Sequence, residues 1–277
     1  MERDHFVRRP APELRPYVRR LLGYDTRLAA PTRQLEPPGP GVVLIFGLGS
    51  PLGLVDPADP GRAPVPLGSF VAGPDDARTV LEYDGETRGV QVDLTPLAAH
   101  MLFHVPMHEL ARRMVPLEDL LGKATGQFEE RLFEAETWSE RLDLTERMLG
   151  ARLAAAETPP PDVAWAWRRL SAAAGRLRVS DLARELGCSR KHLAARFREH
   201  VGLPPKLIGR LMRFQNAVER PSSPETTIAE VAATCGYYDQ AHLDREFRDF
   251  LATTPTDFAA AMREPVTFVQ AAGAAGP

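Results

Sequence analysis

The sequence predicts an α+β chain: a β-rich N-terminal domain with helices, in the form of a barrel (cupin-like) or a sandwich, followed by an all-α domain of two helix-turn-helix units. Three observations predict it. Short β-prone runs stand between Pro and Gly turn signals in the first ninety-five residues. The texture becomes helical from Pro96. The C-terminal hundred residues contain an internal near-repeat of helix, Gly turn and helix.

The β-prone runs are Val42–Phe46, Ser69–Ala72, Thr79–Tyr83 and Gly89–Leu94. Pro96–Phe103, Met107–Met114 and Leu117–Leu121 read as short helices, each preceded by or starting on a proline that suits a first turn. Residues 127–156 read as one or two amphipathic helices with Phe128, Leu132, Leu142, Met148, Leu149 and Leu153 turned inward. Glu157-Thr158-Pro159-Pro160-Pro161 is a stiff linker that few contacts need cross, and marks the best domain boundary. The expected division is therefore 1–157, an effector or dimerisation domain; 158–265, the double helix-turn-helix domain; and 266–277, a disordered tail.

At 277 residues there is enough chain for two cores. No apolar run reaches the eighteen residues of a membrane span, and the charged N-terminus lacks a signal-peptide core. Cys188 and Cys235 are too few for a disulfide scaffold, which makes the cytoplasm the default compartment, and both read as small buried hydrophobes. The net charge of −3 hides an asymmetry. Residues 165–215 carry twelve Arg or Lys against three acids, a balance of +9, whereas residues 216–265 carry four against nine, a balance of −5. The basic stretch is either a solvated face or the footprint of a polyanion.

The repeat separates those two. Val179, Leu182, Ala183, Leu186 and Gly187 recur as Ile228, Val231, Ala232, Cys235 and Gly236. Each copy is one buried stripe closed by a glycine able to take positive φ. Ser189 and Asp239 follow as N-cap candidates, then the apolar pairs Leu193/Phe197 and Leu243/Phe247. Eight residues beyond each Phe stands a proline, Pro205 or Pro255, and eight beyond that an arginine, Arg213 or Arg263. An ordinary helical bundle also contains Gly turns, but two in-phase copies with a basic second helix are the pattern of a helix-turn-helix.

GCSRKHLAARFREHVGLPP and IAEVAATCGYYDQAHLDREFRDFLATTPTDF resemble the AraC/XylS transcription regulators, over about Val163 to Arg263. The resemblance implies seven helices, a connecting helix over about Pro205–Glu219, and two reading helices entering neighbouring major-groove segments. The loop at 220–227, with two prolines, departs from the pattern and ends the connecting helix early. SFVAGP and RGVQVDLTPLAAHML resemble the effector domains of one subgroup.

On a helical wheel Leu193 and Phe197 mark the buried side of the first reading helix. Lys191 and Ala195 lie opposite, with Ala194 at the margin, and the resemblance places base contact on the same three. Lys191 reaches guanine, and the alanines offer apolar contact. In the second helix Ala241, Arg245 and Arg248 lie outward, with Gln240 and Asp244 at the edges; the resemblance gives Gln240 and Arg245 reading positions. The expected base-contacting set is Lys191, Ala194, Ala195, Gln240, Ala241 and Arg245; Arg190, Arg198 and Arg248 suit phosphates. Arg196 points towards the core and is expected to pair internally.

Two other patterns carry less. Residues 42–53 hold a Gly-rich run that could suggest a phosphate loop, but no helix can start after it, so it reads as a turn. His100, His104 and His108 have ligand spacing, which Pro106 breaks. No nucleophile motif or spaced acid/base pair is present, so neither catalytic residues, a metal nor a cofactor is expected. The expected function is sequence-specific DNA binding that activates or represses transcription, in the cytoplasm. Double-stranded DNA is the partner. RNA polymerase and a small-molecule effector are candidates, no membrane is involved, and the chain is a monomer or weak homodimer. The competing class is a DNA-associated enzyme that uses the helices for targeting.

Overall fold

The computed structural model describes residues 2–220 and 226–261. The N-terminal unit contains two antiparallel sheets. Its strands are β1 (Glu2–Arg8), β2 (Val18–Arg27), β3 (Thr32–Glu36), β4 (Val42–Gly47), β5 (Leu52–Val55), β6 (Val65–Leu67), β7 (Phe70–Ala72), β8 (Thr79–Tyr83), β9 (Glu86–Leu94) and β10 (Met114–Pro116). One sheet runs β1-β2-β9-β4-β7-β10 and the other β3-β8-β5-β6. Tyr24, Ile45 and Phe70 of the first pack on Leu52, Leu67 and Leu81 of the second.

This is a sandwich; the barrel alternative is corrected, because β1 and β10 stand at opposite edges of the large sheet without closing on one another. The far face of that sheet, with Leu21, Leu44, Phe46, Val90 and Val92, is covered by helices. These are α1 (Pro96–Phe103), α2 (Met107–Leu110), α3 (Leu117–Leu121), α4 (Ala124–Glu134) and α5 (Trp138–Ala155). Leu132, Leu142, Leu149 and Leu153 are buried there, so the apolar stripe of residues 127–156 is satisfied inside the chain. A capping box at Thr137 and Glu140 starts α5.

One expected element differs. Residues 107–114 do not form one helix: α2 stops at Leu110, Arg112 turns through φ 59°, and the chain re-enters the sheet as β10. The Gly-rich run after β4 leads into a strand, β5. Pro106 lies between α1 and α2 and His104 caps α1 at φ 55°, so the three histidines do not share a helix face.

The C-terminal unit has seven described helices: α6 (Pro161–Ala172), α7 (Val179–Glu185), α8 (Arg190–His200), α9 (Pro205–Val218), α10 (Ile228–Thr234), α11 (Gln240–Leu251) and α12 (Pro255–Ala261). Their shared core contains Leu170, Leu182, Leu193, Phe197, Phe214 and Phe247. Most of the proline-rich loop at 220–227, Arg263 and the expected tail at 266–277 lie outside the described residues.

The units are not joined by the linker alone. Leu97 of α1 belongs to the C-terminal core, and Leu35 and Ala111 pack against it. The expectation of few crossing contacts is thus corrected, because apolar side chains of both units share one buried cluster. Beside this contact a cleft of about 680 Å³ opens between the units, lined in part by Tyr17, Leu97, Trp167 and Met212, with Arg19 and Arg168 at its wall.

Candidate nucleic-acid interface

The two copies of the repeat adopt the same backbone device. In the first, Gly187 takes φ 65°, Cys188 N donates to Ala183 O at 2.9 Å and Gly187 N to Arg184 O at 3.1 Å. In the second, Gly236 takes φ 80°, Tyr237 N donates to Ala232 O at 2.9 Å and Gly236 N to Ala233 O at 3.3 Å. This pair of bonds is the Schellman end, and positive φ is why glycine stands there. Cys235 is buried and Cys188 half-buried against the same core.

The next helix starts identically. Ser189 Oγ accepts from His192 N at 3.1 Å, and Asp239 Oδ1 accepts from His242 N at 2.7 Å. Each cap satisfies a backbone donor that the helix itself leaves unpaired. Leu193 and Phe197 are fully buried in α8, as are Leu243 and Phe247 in α11.

The opposite faces are open. Arg190, Lys191, Ala195 and Arg198 are exposed on α8, with Ala194 half-buried at the margin. On α11, Gln240, Ala241, Arg245 and Arg248 are exposed and Asp244 is half-buried. Arg190, Lys191, Arg198, Arg245 and Arg248 make no ion pair among the described residues. These cations face solvent from the two equivalent helices.

Several other cations of the basic stretch are engaged by partners within the chain. Arg196 pairs with Asp162 at 3.0 Å, as expected of its inward position, and Arg169 pairs with Glu185 at 3.3 Å. Arg210 holds Glu246 at 2.8 Å and Asp249 at 3.3 Å and lies over the Phe250 ring. Arg213 donates to Gly175 O at 2.7 Å and covers Tyr237. These last two tie α9 to both helix-turn-helix units. The +9 balance therefore overstates the charge offered outward.

His242 also belongs to the fold: its ring meets Tyr237 edge to face, with Nε2 4.0 Å from Glu246 Oε1. Burial is the first cause that pushes the Tyr237 hydroxyl far above its ordinary range. Sequence reasoning missed Tyr238, which stands 93% exposed in the turn before α11. An aromatic residue outside any helical stripe, one step before an N-cap, is the signal that would have found it.

A family model described as a helix-turn-helix domain matches residues 182–261, and one described as a domain of unknown function (DUF6597) matches residues 7–116. No curated protein matches. Among solved structures, an AraC-type DNA-binding domain from Chromobacterium violaceum is 23% identical, covering 38% of this chain and 95% of its own at TM-score 0.34. The C-terminal domain of AraT, a response regulator from Geobacillus stearothermophilus, is 21% identical, covering 38% and 88% at TM-score 0.35. Apo ToxT from Vibrio cholerae is 11% identical and covers 87% of this chain and 97% of its own at TM-score 0.49.

Proposed function

We propose that the chain, whose residues 182–261 match a helix-turn-helix domain, is a DNA-binding transcription regulator of the AraC/XylS type that reads duplex DNA with α8 and α11 in successive major-groove segments. Lys191, Ala194 and Ala195 would meet base edges in one segment, and Gln240, Ala241 and Arg245 in the other. Arg190, Arg198 and Arg248 would hold phosphates. One observation carries this reading: the two equivalent helices bury equivalent residues and leave these positions uncovered, Ala194 in part. Free cations on a reading helix gain most where they displace counterions from a phosphate backbone.

Residues 158–265 are assigned as the DNA-binding domain and 1–157 as the effector domain, in a monomer or weak homodimer. The site we assign to an effector is the interdomain cleft rather than the sandwich interior. Aromatic and apolar walls beside Arg19 and Arg168 suit a small amphipathic molecule with an acidic group. Titrating the full chain with labelled duplexes, then with Lys191→Ala and Arg245→Ala variants, tests the DNA reading. Each variant should relax preference in a different block of the site. Loss of preference in neither block would move sequence reading away from these helices.

A further inference from the structure

The N-terminal unit meets both reading helices at their C-terminal ends, and one short segment makes both contacts. Residues 73–78 connect β7 to β8. Pro74 is buried against Gly202, which follows α8 in the left-handed region at φ 95°. A Cβ on Gly202 would stand 3.0 Å from Pro74 Cγ and 2.9 Å from Met107 O, so only glycine permits the approach. Four residues on, Arg78 Nη1 donates to Leu251 O at 2.8 Å, on the last residue of α11, where Ala252 ends the helix at φ 55°. A guanidinium suits that position, because the final carbonyls of a helix are unpaired and carry partial negative charge.

The segment is itself held firmly. Asp75 and Gly39 exchange two backbone bonds of 3.1 Å, and Pro74 O accepts from Arg112 N at 3.0 Å. The Asp76 carboxylate takes a two-pronged contact from Arg112, which lowers its pKa. Asp75 Oδ1 accepts from Ala77 N at 2.8 Å. Four residues of extended chain span at most about 14 Å, so one anchored loop limits how far the ends of α8 and α11 can separate.

We propose that residues 73–78 act as a clamp that fixes the spacing and relative orientation of the two reading helices, with Arg78 as its positioning residue. The clamp rests on the reading above, in which both helices engage DNA. Its consequence is a strict separation between the two blocks of the binding site. Any shift of residues 73–78 would reach both helices together, without touching the residues that face DNA.

Two measurements on the full chain test it. Nitroxide pairs at Arg184→Cys and Ala233→Cys, in a Cys188→Ser, Cys235→Ala background, report the distance between the two units without DNA. The clamp predicts one narrow distribution, broadened by Arg78→Ala and largely restored by Arg78→Lys. On duplexes with one or two base pairs inserted between the blocks, the unsubstituted chain should lose at least tenfold in affinity and Arg78→Ala less than threefold. Unchanged distance distributions with equal spacer sensitivity would overturn the clamp. Absence of DNA binding would overturn the reading of the helices, while the distance measurement still decides the clamp.

Discussion

His200, the last residue of α8, sets its Nδ1 3.1 Å from Nε2 of His100 on α1, with the two rings edge to face at 4.7 Å. His100 Nδ1 lies 2.9 Å from Val105 O, and a carbonyl only accepts, so His100 carries a proton there. The first reading helix is thereby joined to the N-terminal unit by a pair of imidazoles.

Stability should therefore fall on mild acidification. Burial, then the neighbouring His100, lowers the His200 pKa, against the opposing pull of Glu199; Arg196 and Asp162 complete its charged surroundings. With the folded pKa below the unfolded value of about 6.5, both states are neutral at pH 8. The unfolded state takes up the proton first as pH drops, so stability is lost below about pH 6.5. The measurement is the melting midpoint against pH. His200→Phe, which has nothing to protonate, should flatten the profile between pH 7.5 and 5.5; an unaltered slope would remove this pair as its origin.

Glu36 should give the opposite sign. Burial raises its carboxyl to about 7, countered in part by the Tyr83 hydroxyl and Arg20, while Asp93 adds to the rise. The unfolded chain ionises this carboxyl first as pH rises, so its charge opposes folding increasingly from about pH 4.5 and fully above the folded value. Glu36→Gln should then melt higher than the parent at pH 8 and nearly equal to it at pH 4.5. A stabilisation equal at both pH values would assign the effect to packing instead.

The capping residues should matter in parallel. Ser189→Ala and Asp239→Ala each remove the acceptor that starts a reading helix, at a cost of about 1 kcal/mol. Urea midpoints of the two variants should fall by comparable amounts. If only one did, the repeat would not be energetically equivalent in its two copies.

Much of this arrangement was legible in the sequence, because the repeat pairs local signals that act over a few residues. The Gly turns, both N-caps, the buried pairs and the bounds of α1, α3 and β8 depend on backbone sterics and neighbouring side chains. What was not legible depends on distant partners. β1, a charge-alternating ERDHFVR, reads as solvated chain until β2 pairs with all seven of its residues. In β2 a register shift between Val18 and Arg20 disrupts the alternation and turns Arg20 inward onto Asp93 at 2.8 Å. The internal use of Arg210 and Arg213, and the seat of Arg78 on Leu251, appear only once helices remote in sequence are packed.

Electrostatics should separate holding from reading. Replacing Arg190 and Arg198 together by Ala should weaken binding across all sequences and reduce the salt dependence, since two phosphate contacts are lost. Lys191→Ala should instead cost about 1–3 kcal/mol at one or two base pairs. Affinities over a salt series for both variants distinguish these; a sequence-independent loss for Lys191→Ala would place that side chain on phosphate.

Selection of binding sites from random duplexes by the purified full chain tests the central claim most directly. Two reading helices on one rigid frame predict two enriched blocks at one fixed separation of about one helical turn, 10–10.5 base pairs. Lys191→Ala should blur one block and Arg245→Ala the other. Enrichment of a single block unaffected by Arg245→Ala, or of no sequence at all, would contradict it.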